Sequence, residues 1–151
     1  MPQPPSIRRA KAGDAGLRWD AIPLKEYKEE GTHFRAITRQ TLFEDALSSQ
    51  LRYFEVQPGG YSTFERHQHV HAVLVLEGEG QVIVGEEQHA IGPRDLVYVP
   101  PATWHQFLAT GDAPLGFLCL VECDRDRPTR PTPEEVESLK AHPVWGGTAR
   151  F

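Results

Sequence analysis

The sequence predicts an all-β protein, a sandwich or barrel, with one short helix near its C-terminus. Eight or nine short segments rich in β-branched and aromatic residues follow one another at close spacing, which is typical of this class. Most are separated by dipeptides that favour turns, such as Pro-Gly, Gly-Glu and Gly-Pro. Only one segment, after residue 131, carries the signals of a helix start.

The size and composition are those of one ordinary globular domain. The chain has 151 residues, of which 39% are hydrophobic and 25% charged, enough for a buried core. A net charge of −5 argues against a nucleic-acid partner, because phosphate binding requires a basic surface. The longest apolar run covers only residues 72–76, so no membrane segment is expected. The N-terminus lacks the apolar region of a secretory signal, and a cytoplasmic protein is expected.

The strands can be placed from alternating hydrophobic residues and from the turns between them. In chain order they are expected at residues 32–43, 51–57, 65–71, 72–76, 81–84, 88–91, 95–99, 104–108 and 115–122. Pro58-Gly59-Gly60 is expected to form a turn, and residues 44–49 a turn or short helical stretch. The strand at 72–76 is apolar on both faces, which predicts cover on both sides.

The pattern changes near the C-terminus, where a helix is expected from residue 133 to about residue 141. Thr132 supplies an N-cap, Pro133 suits the first helical position, and Glu135 completes a capping box. Pro143 ends the helix, because the residue before a proline avoids the helical conformation.

One barrel between two shorter segments is the expected domain organisation. An N-terminal tail and arm (residues 1–31) precede the barrel (32–123), and a charged linker, the helix and a tail (124–151) follow it. The first 16 residues are expected to form a loose tail. Trp145 and Phe151 are expected to dock on the body or on a neighbouring subunit.

The two cysteines are expected to be reduced and structural. Cys119 and Cys123 are four residues apart in one predicted strand, which separates them by about 13 Å on the same face. That separation is too large for a disulfide, and the spacing is unlike that of a zinc-binding Cys pair.

Alternating metal-ligating residues are the most informative feature of the sequence. Glu65, His67, His69 and His71 lie two residues apart, so one unbroken strand would project all four to the same face. Imidazoles and a carboxylate at one point indicate a site for a divalent transition metal such as Zn, Mn, Fe, Ni or Cu. His105 lies elsewhere in the sequence and gains its importance from the family pattern described next.

This stretch resembles the first motif of the cupins, small jelly-roll barrels built as a double-stranded β-helix. That motif is a glycine, a short spacer, His-x-His, and an acid or histidine before a strand that ends in Val-Leu-x-Gly. The matching residues are Gly60, His67, His69, His71 and 75–78.

The second cupin motif is a glycine, five residues, Pro-x-Gly, two residues and a histidine. Pro100 and His105 match it, whereas Arg94 and Ala102 replace its two glycines. With the strand count on either side, the resemblance extends over about residues 35–123.

The resemblance implies a metal site but leaves its ligand set open. Counting back from residues 75–78 selects Glu65, His67, His71 and His105. Anchoring on the His-x-His itself selects His67, His69, His71 and His105 instead. His67, His71 and His105 belong to both sets, and Glu65 and His69 compete for the remaining place.

Two classes of function are consistent with such a site. The first is a metal-dependent enzyme, resembling cupin dioxygenases, decarboxylases or isomerases, that acts on a small polar organic molecule. The second is a non-catalytic module that binds or senses a small molecule. Cupins commonly cover an outer sheet face by dimerising, so the resemblance also implies a homodimer.

The sequence also suggests which side chains line the pocket. Phe107 lies two residues after His105, so both side chains share one face of the strand and are expected to point inward. Trp104 lies on the other face and is expected to point outward. Tyr61 and Tyr98 are further candidates for the pocket wall. Arg94 has the chemistry to clamp a carboxylate, but its place after a Gly-Pro turn predicts an exposed residue.

Overall fold

The computed structural model describes residues 7–28, 30–44 and 48–151. Within them the chain forms eleven strands and one helix: β1 (Ala10–Gly13), β2 (Gly16–Trp19), β3 (Lys25–Glu26), β4 (Arg35–Phe43), β5 (Ser49–Tyr61), β6 (His71–Glu77), β7 (Gly80–Val84), β8 (Glu87–Ile91), β9 (Leu96–Val99), β10 (His105–Ala109), β11 (Leu115–Glu122) and α1 (Pro133–Lys140). Most of the predicted strands are therefore present. The turn or short helix predicted at 44–49 falls mainly outside the described residues.

Strands β1 and β2 form a two-stranded sheet of their own. The other nine strands form one curled antiparallel sheet, which confirms the predicted jelly-roll barrel. Its order is β8-β7-β10-β5-β11-β6-β9, and β4 pairs with the free side of β5 and with β3. The long strand β5 connects the β8-β7-β10 part of the sheet with the β11-β6-β9 part. Its N-terminal part pairs with β11, and Tyr61 at its end pairs with Leu108 of β10.

The barrel interior is the main hydrophobic core of the described chain. Inward-facing side chains alternate with outward-facing ones along β4, β5, β6, β9 and β11, as the pleat of a strand requires. Phe107 lies in this core and Trp104 packs outside it, as predicted from their parity. The buried residues of the core are Ile37, Phe54, Val56, Val73, Val75, Val82, Ile91, Val97, Val99, Phe107, Ala109, Leu115, Phe117, Cys119 and Val121.

The turn predicted at Pro58-Gly59-Gly60 is wrong, because β5 continues through it with a bulge. Arg35 pairs with Tyr61 and Ile37 with Val56, so β5 carries extra residues opposite a short step of β4. Gly59 has a φ of 79°, a conformation that glycine adopts without strain. The bulge bends β5 and lets its end leave β11 for β10.

The loose tail predicted for residues 1–16 is also wrong in its described part. Strands β1 and β2 form a hairpin that covers the outer face of β4 and β5. There the buried Glu55 carboxylate accepts a hydrogen bond from the Leu17 backbone N–H at 2.9 Å and pairs with Arg18. Gln40, also buried, donates to the Leu17 carbonyl at 2.9 Å. These partners lie far away in sequence, so local patterns do not indicate them.

The C-terminal segment docks on the body, as expected. Helix α1 begins with the predicted capping box between Thr132 and Glu135. Beyond it, Trp145 is 1% exposed and donates from Nε1 to the Gly85 carbonyl at 2.9 Å. With eight residues, α1 is too short to cross a membrane, and the described residues contain no other helix.

One outer face of the barrel stays apolar and exposed. Strands β9, β6 and β11 lie side by side, and their outward residues are hydrophobic. Leu96 is 80% exposed, Tyr98 61% and Leu120 43%. Leu96 is opposite Leu74, and Ala72 lies between Tyr98 and Leu120. The cover that the sequence predicts for the outer side of β6 is not supplied by the described part of the chain.

Candidate metal centre

The histidine segment is not the unbroken strand that its alternation predicted. Strand β5 ends at residue 61 and β6 begins at His71, and between them the chain forms only two isolated bridges, Glu65 with His105 and Arg66 with Thr129. Residues 68 and 69 form a bend instead of extended chain. Glu65 and His67 therefore lie in the segment between β5 and β6, and His71 lies at the start of β6. His105 lies at the start of β10.

His67, His71 and His105 come together as three crossed imidazole rings. The ring planes cross at 77° between His67 and His71, 74° between His67 and His105, and 65° between His71 and His105. The centroids are 4.6, 4.8 and 5.4 Å apart, respectively. Among the described residues, two groups have ligating atoms within 4.8 Å of one another: His67, His69 and His71, and Glu65, His67 and His105.

The other nitrogen of each ring is engaged outside the cluster. Nδ1 of His67 lies 2.6 Å from the His69 carbonyl, and Nδ1 of His105 lies 2.9 Å from the Thr103 carbonyl. A carbonyl only accepts, so each Nδ1 carries the proton and Nε2 keeps its lone pair. Such contacts are what orient histidine ligands in metal sites.

The distance between two of these Nε2 atoms fits a shared cation. Nε2 of His67 lies 2.8 Å from Nε2 of His71. Two nitrogens bound to one ion at about 2.1 Å and at right angles are about 3 Å apart. Nδ1 of His71 contacts Sγ of Cys119 at 2.9 Å, which leaves its Nε2 directed at the cluster.

The three imidazoles are held neutral, the form that binds metals. Burial lowers the pKa of His67 to about 4, although the hydrogen bond to the His69 carbonyl opposes that shift. Burial lowers the pKa of His105 to about 3. Burial and the two neighbouring imidazoles lower the pKa of His71 well below its usual range. At neutral pH all three rings therefore present lone pairs.

Glu65 adds a carboxylate beside this cluster. It is 6% exposed, and its ligating oxygen lies within 4.8 Å of the nitrogens of His67 and His105. Nζ of Lys28 donates to Oε2 of Glu65 at 2.7 Å. Burial raises the pKa of the carboxyl group, whereas Lys28 opposes that shift. The ion pair with Lys28 thus favours the charged form that a cation requires.

His69 is close to the cluster but differently oriented. Its ring stacks on that of His67, with centroids 3.6 Å apart and planes only 3° from parallel. Lone pairs in two parallel, stacked rings do not meet at one point. Nδ1 of His69 lies 2.8 Å from Oδ1 of Asp126. The same Oδ1 accepts from the His69 backbone N–H, and Oδ2 of Asp126 accepts from the Gln68 backbone N–H. A ligating nitrogen of His69 nevertheless lies within 4.8 Å of those of His67 and His71, so Glu65 and His69 both lie close enough to complete a site.

The cluster lies at the wall of a cavity of about 180 Å³ inside the barrel. Sequence reasoning missed several of its lining residues, because they lie on other strands or in the arm and linker. Of the candidates for its wall, Phe107 lines it, whereas Tyr61, Tyr98 and Trp104 do not. The missed residues are Tyr27, Lys28, Arg39, Arg52, Cys119 and Arg125.

Comparison with known proteins places this fold and site in a family. The model of the cupin domain matches residues 52–121. A curated relative from Rhodospirillum rubrum, named 1-methylthio-D-xylulose 5-phosphate methylsulfurylase, is 51% identical over 126 residues, which are 82% of this chain and 81% of that protein. The chain belongs to the cupin superfamily.

Solved cupin structures agree closely with the fold. A cupin 2 conserved barrel domain protein from Rhodopseudomonas palustris aligns with a TM-score of 0.88 and 42% identity, covering 97% of this chain and 100% of that one. A cupin-2 domain protein from Rhodospirillum rubrum aligns with a TM-score of 0.80 and 48% identity, covering 87% and 89% of the two chains.

The two departures of this cupin from the second motif have a backbone explanation. Arg94 and Ala102 stand where the motif has glycines, and their φ angles are 76° and 56°. Both residues therefore keep the left-handed conformation that glycine adopts most readily. The turn before His105 is preserved, at some cost in local strain, and the histidine reaches the cavity.

Proposed function

We propose that this cupin is a metal-dependent enzyme whose ion is held by His67, His71, His105 and Glu65. The clustering of three neutral imidazoles supports the proposal, because the neutral ring is the form that binds a transition metal and Nε2 of His67 lies 2.8 Å from Nε2 of His71. The donor set of nitrogen and one carboxylate suits Zn, Mn, Fe, Ni or Cu and does not select among them.

Such an ion supplies Lewis-acid chemistry, polarising a carbonyl or hydroxyl oxygen of a substrate. Four protein ligands leave coordination positions free on an ion that prefers five or six, so a small molecule in the cavity can reach it. The cavity lies beside all four proposed ligands.

Other side chains of the cavity prepare it for a polar substrate. Burial and the nearby Glu65 carboxylate raise the pKa of Tyr27, so its phenol keeps its proton at neutral pH and can donate a hydrogen bond. Phe54 and Phe117, with ring centroids 5.6 Å apart, form an apolar wall that limits access of water. Lys28 holds the Glu65 carboxylate in place.

The curated relative suggests the reaction class. By its name, that protein acts on 1-methylthio-D-xylulose 5-phosphate. We propose a similar substrate here, a small phosphorylated keto sugar that carries a methylthio group, in preference to the dioxygenase, decarboxylase or isomerase types. In transfer of the methylthio group to a thiol, the C–S bond breaks and an S–S bond forms. The electron pair stays on carbon, which takes up a proton.

A homodimer through the exposed apolar face is part of the same proposal. The face formed by β9, β6 and β11 is antiparallel, and its exposed residues include Leu96, Tyr98 and Leu120. A twofold axis through it would set the same residues of two copies against each other, which is how self-complementary interfaces form. Burial of Leu96 and Tyr98 would then provide the outer cover that the sequence predicts.

Turnover measurements test the enzymatic proposal. Protein loaded in turn with Mn, Fe, Zn, Ni and Cu is incubated with 1-methylthio-D-xylulose 5-phosphate, with and without a small thiol, and the products are followed by mass spectrometry. The expected result is metal-dependent loss of the methylthio group. A matched control is the His89→Ala variant, whose exposed histidine lies outside the cavity.

Two results would count against the proposal. Substrate binding without turnover under every metal would favour the alternative, a cupin that binds or senses a small molecule. Turnover that survives complete removal of metal would leave catalysis without its proposed cofactor.

A further inference from the structure

The sign of the charge inside the cavity is opposite to that of the whole protein. The chain carries a net charge of −5. Among the described residues that line the cavity, four are cationic (Lys28, Arg39, Arg52 and Arg125) and one is a carboxylate, Glu65. A bound divalent ion would make the cavity more positive still. Such a concentration of charge indicates an anionic ligand.

The arginines reach the interior from strands where hydrophobic residues are expected. Arg52 of β5 faces Cys119 of β11, a core residue. Arg39 of β4 faces Phe54, which has the same parity as Arg52, so both arginines lie on the inner face. Diagonal neighbours of this kind are about 7 Å apart at Cβ, within reach of one shared ligand.

Arg52 is buried without an acidic partner. The residue is 8% exposed, and its Nε makes no hydrogen bond within the described part of the chain. Nη2 contacts Sγ of Cys119 at 3.7 Å, and the guanidinium lies 5.0 Å from the centre of the Phe54 ring. The Glu65 carboxylate, the acid of the cavity wall, is engaged by Lys28 at 2.7 Å. A buried charge is costly unless a charged partner compensates it.

Arg125 adds a third guanidinium from the linker. Its Nη1 donates to the carbonyls of residues 122 and 123, at 2.9 and 3.4 Å, which fixes the side chain at the cavity. Burial and the charges of Arg52 and Arg39 lower the pKa of Arg125. The three groups therefore repel one another, and an anion among them would relieve that repulsion.

We propose that Arg39, Arg52 and Arg125 form an anion subsite that binds the phosphate group of the substrate. The assignment of this group to a substrate rests on the function proposed above. A phosphate monoester carries up to two charges and three acceptor oxygens, which several guanidinium forks can share. A carboxylate has one charge and two oxygens, so it can accept from fewer of these guanidinium groups at once than a phosphate can.

The subsite and the metal centre are adjacent in the same cavity. Sγ of Cys119 contacts both Nη2 of Arg52 and Nδ1 of His71, at 3.7 and 2.9 Å. One small molecule can therefore place its phosphate against the arginines and an oxygen at the imidazole cluster. This arrangement would fix which end of the substrate meets the ion.

Binding of inorganic phosphate tests the subsite without turnover. Calorimetric titrations compare phosphate, acetate and chloride at equal ionic strength, on metal-loaded protein and on protein stripped with EDTA. We expect phosphate to bind in both forms and acetate to bind at least tenfold more weakly. Arg52→Gln should weaken phosphate binding about tenfold or more, because a charge-assisted contact is lost. Arg94→Gln is the matched control, since Arg94 is exposed on a turn.

A second variant protects the test against a folding defect. Arg125 is only partly buried, so Arg125→Gln should fold even if Arg52→Gln does not, and it should also weaken phosphate binding. The proposal falls if phosphate binds no better than acetate, or if the folded variants bind it as tightly as Arg94→Gln does. Metal content is measured in the same samples. If the protein lacks metal or turnover but still binds phosphate through the arginines, the proposed function is wrong and the anion subsite is supported.

Discussion

Nε2 of His67 and Nε2 of His71 lie 2.8 Å apart although both rings direct Nδ1 to other partners. Two nitrogen lone pairs at this distance repel unless a proton or a cation lies between them. The contact is an Nε2–H···Nε2 hydrogen bond when the Cys119 thiol donates to Nδ1 of His71, and a bound cation would replace that proton between the two nitrogens.

We predict that Glu65→Gln weakens metal binding more than His69→Gln does. The Glu65 carboxylate is buried beside His67 and His105, whereas His69, although close to His67 and His71, stacks parallel to the His67 ring and contacts Asp126 through Nδ1. Competition with a fluorescent chelator would measure both affinities. The reverse order would assign the fourth place to His69.

Cys119→Ser should weaken metal binding about tenfold, because the Cys119 thiol contacts Nδ1 of His71 and fixes the orientation of that ring. The control is Cys123→Ser, which changes an exposed cysteine just beyond the end of β11. Chelator competition on both variants provides the measurement. Equal affinities for Cys119→Ser and the wild type would show that the contact does not orient His71.

Metal-free protein should lose stability as the pH falls from about 6.5 toward 4. His67 and His105 have pKa values of about 4 and about 3 in the folded protein, against about 6.5 in an unfolded chain. In this interval the unfolded state binds more protons, so acid favours unfolding. Urea titrations between pH 7.5 and 5.0 would measure the slope.

The His105→Gln variant should show a shallower dependence of stability on pH over the same interval. His89→Gln, which changes an exposed histidine, should keep the slope of the wild type. Identical slopes in all three proteins would mean that the buried histidines do not govern the acid response.

Leu96→Lys should convert the proposed dimer to a monomer. The side chain is 80% exposed in the single chain and would be buried against the partner in a pair. Placing a charge there opposes burial strongly. Val144→Lys is the control, since Val144 is 58% exposed in the C-terminal segment. Light scattering after gel filtration would measure the mass, and a monomeric wild type would contradict the proposed dimer.

Much of the barrel could be predicted because its strands alternate hydrophobic and polar residues between clear turn signals. The hairpin of β1 and β2 could not be predicted, since it depends on contacts with Gln40 and Glu55 from distant strands. The bulge at Gly59 was mistaken for a turn because Pro-Gly-Gly favours both. A bulge instead of a turn depends on the pairing of β5 with β4 and β10.

The candidate site was only partly predictable for the same reason. Spacing and the family pattern identified the metal-ligating residues, although the strand that was expected to align them is interrupted near His69. Arg52 was not recognised, because Leu51, Tyr53, Phe54 and Val56 compete for the core face in the sequence. The alternative parity, with Arg52 inward, follows from the pairing of β5 with β11.

Metal content tests the central claim most directly. Purified protein and its His71→Ala variant are analysed by inductively coupled plasma mass spectrometry after dialysis at pH 7.5, with His89→Ala as the control. We predict one equivalent of a divalent transition metal per chain in the wild type and the control, and less than a tenth of that in His71→Ala. Absence of stoichiometric metal from all three proteins, even after loading, would contradict the claim.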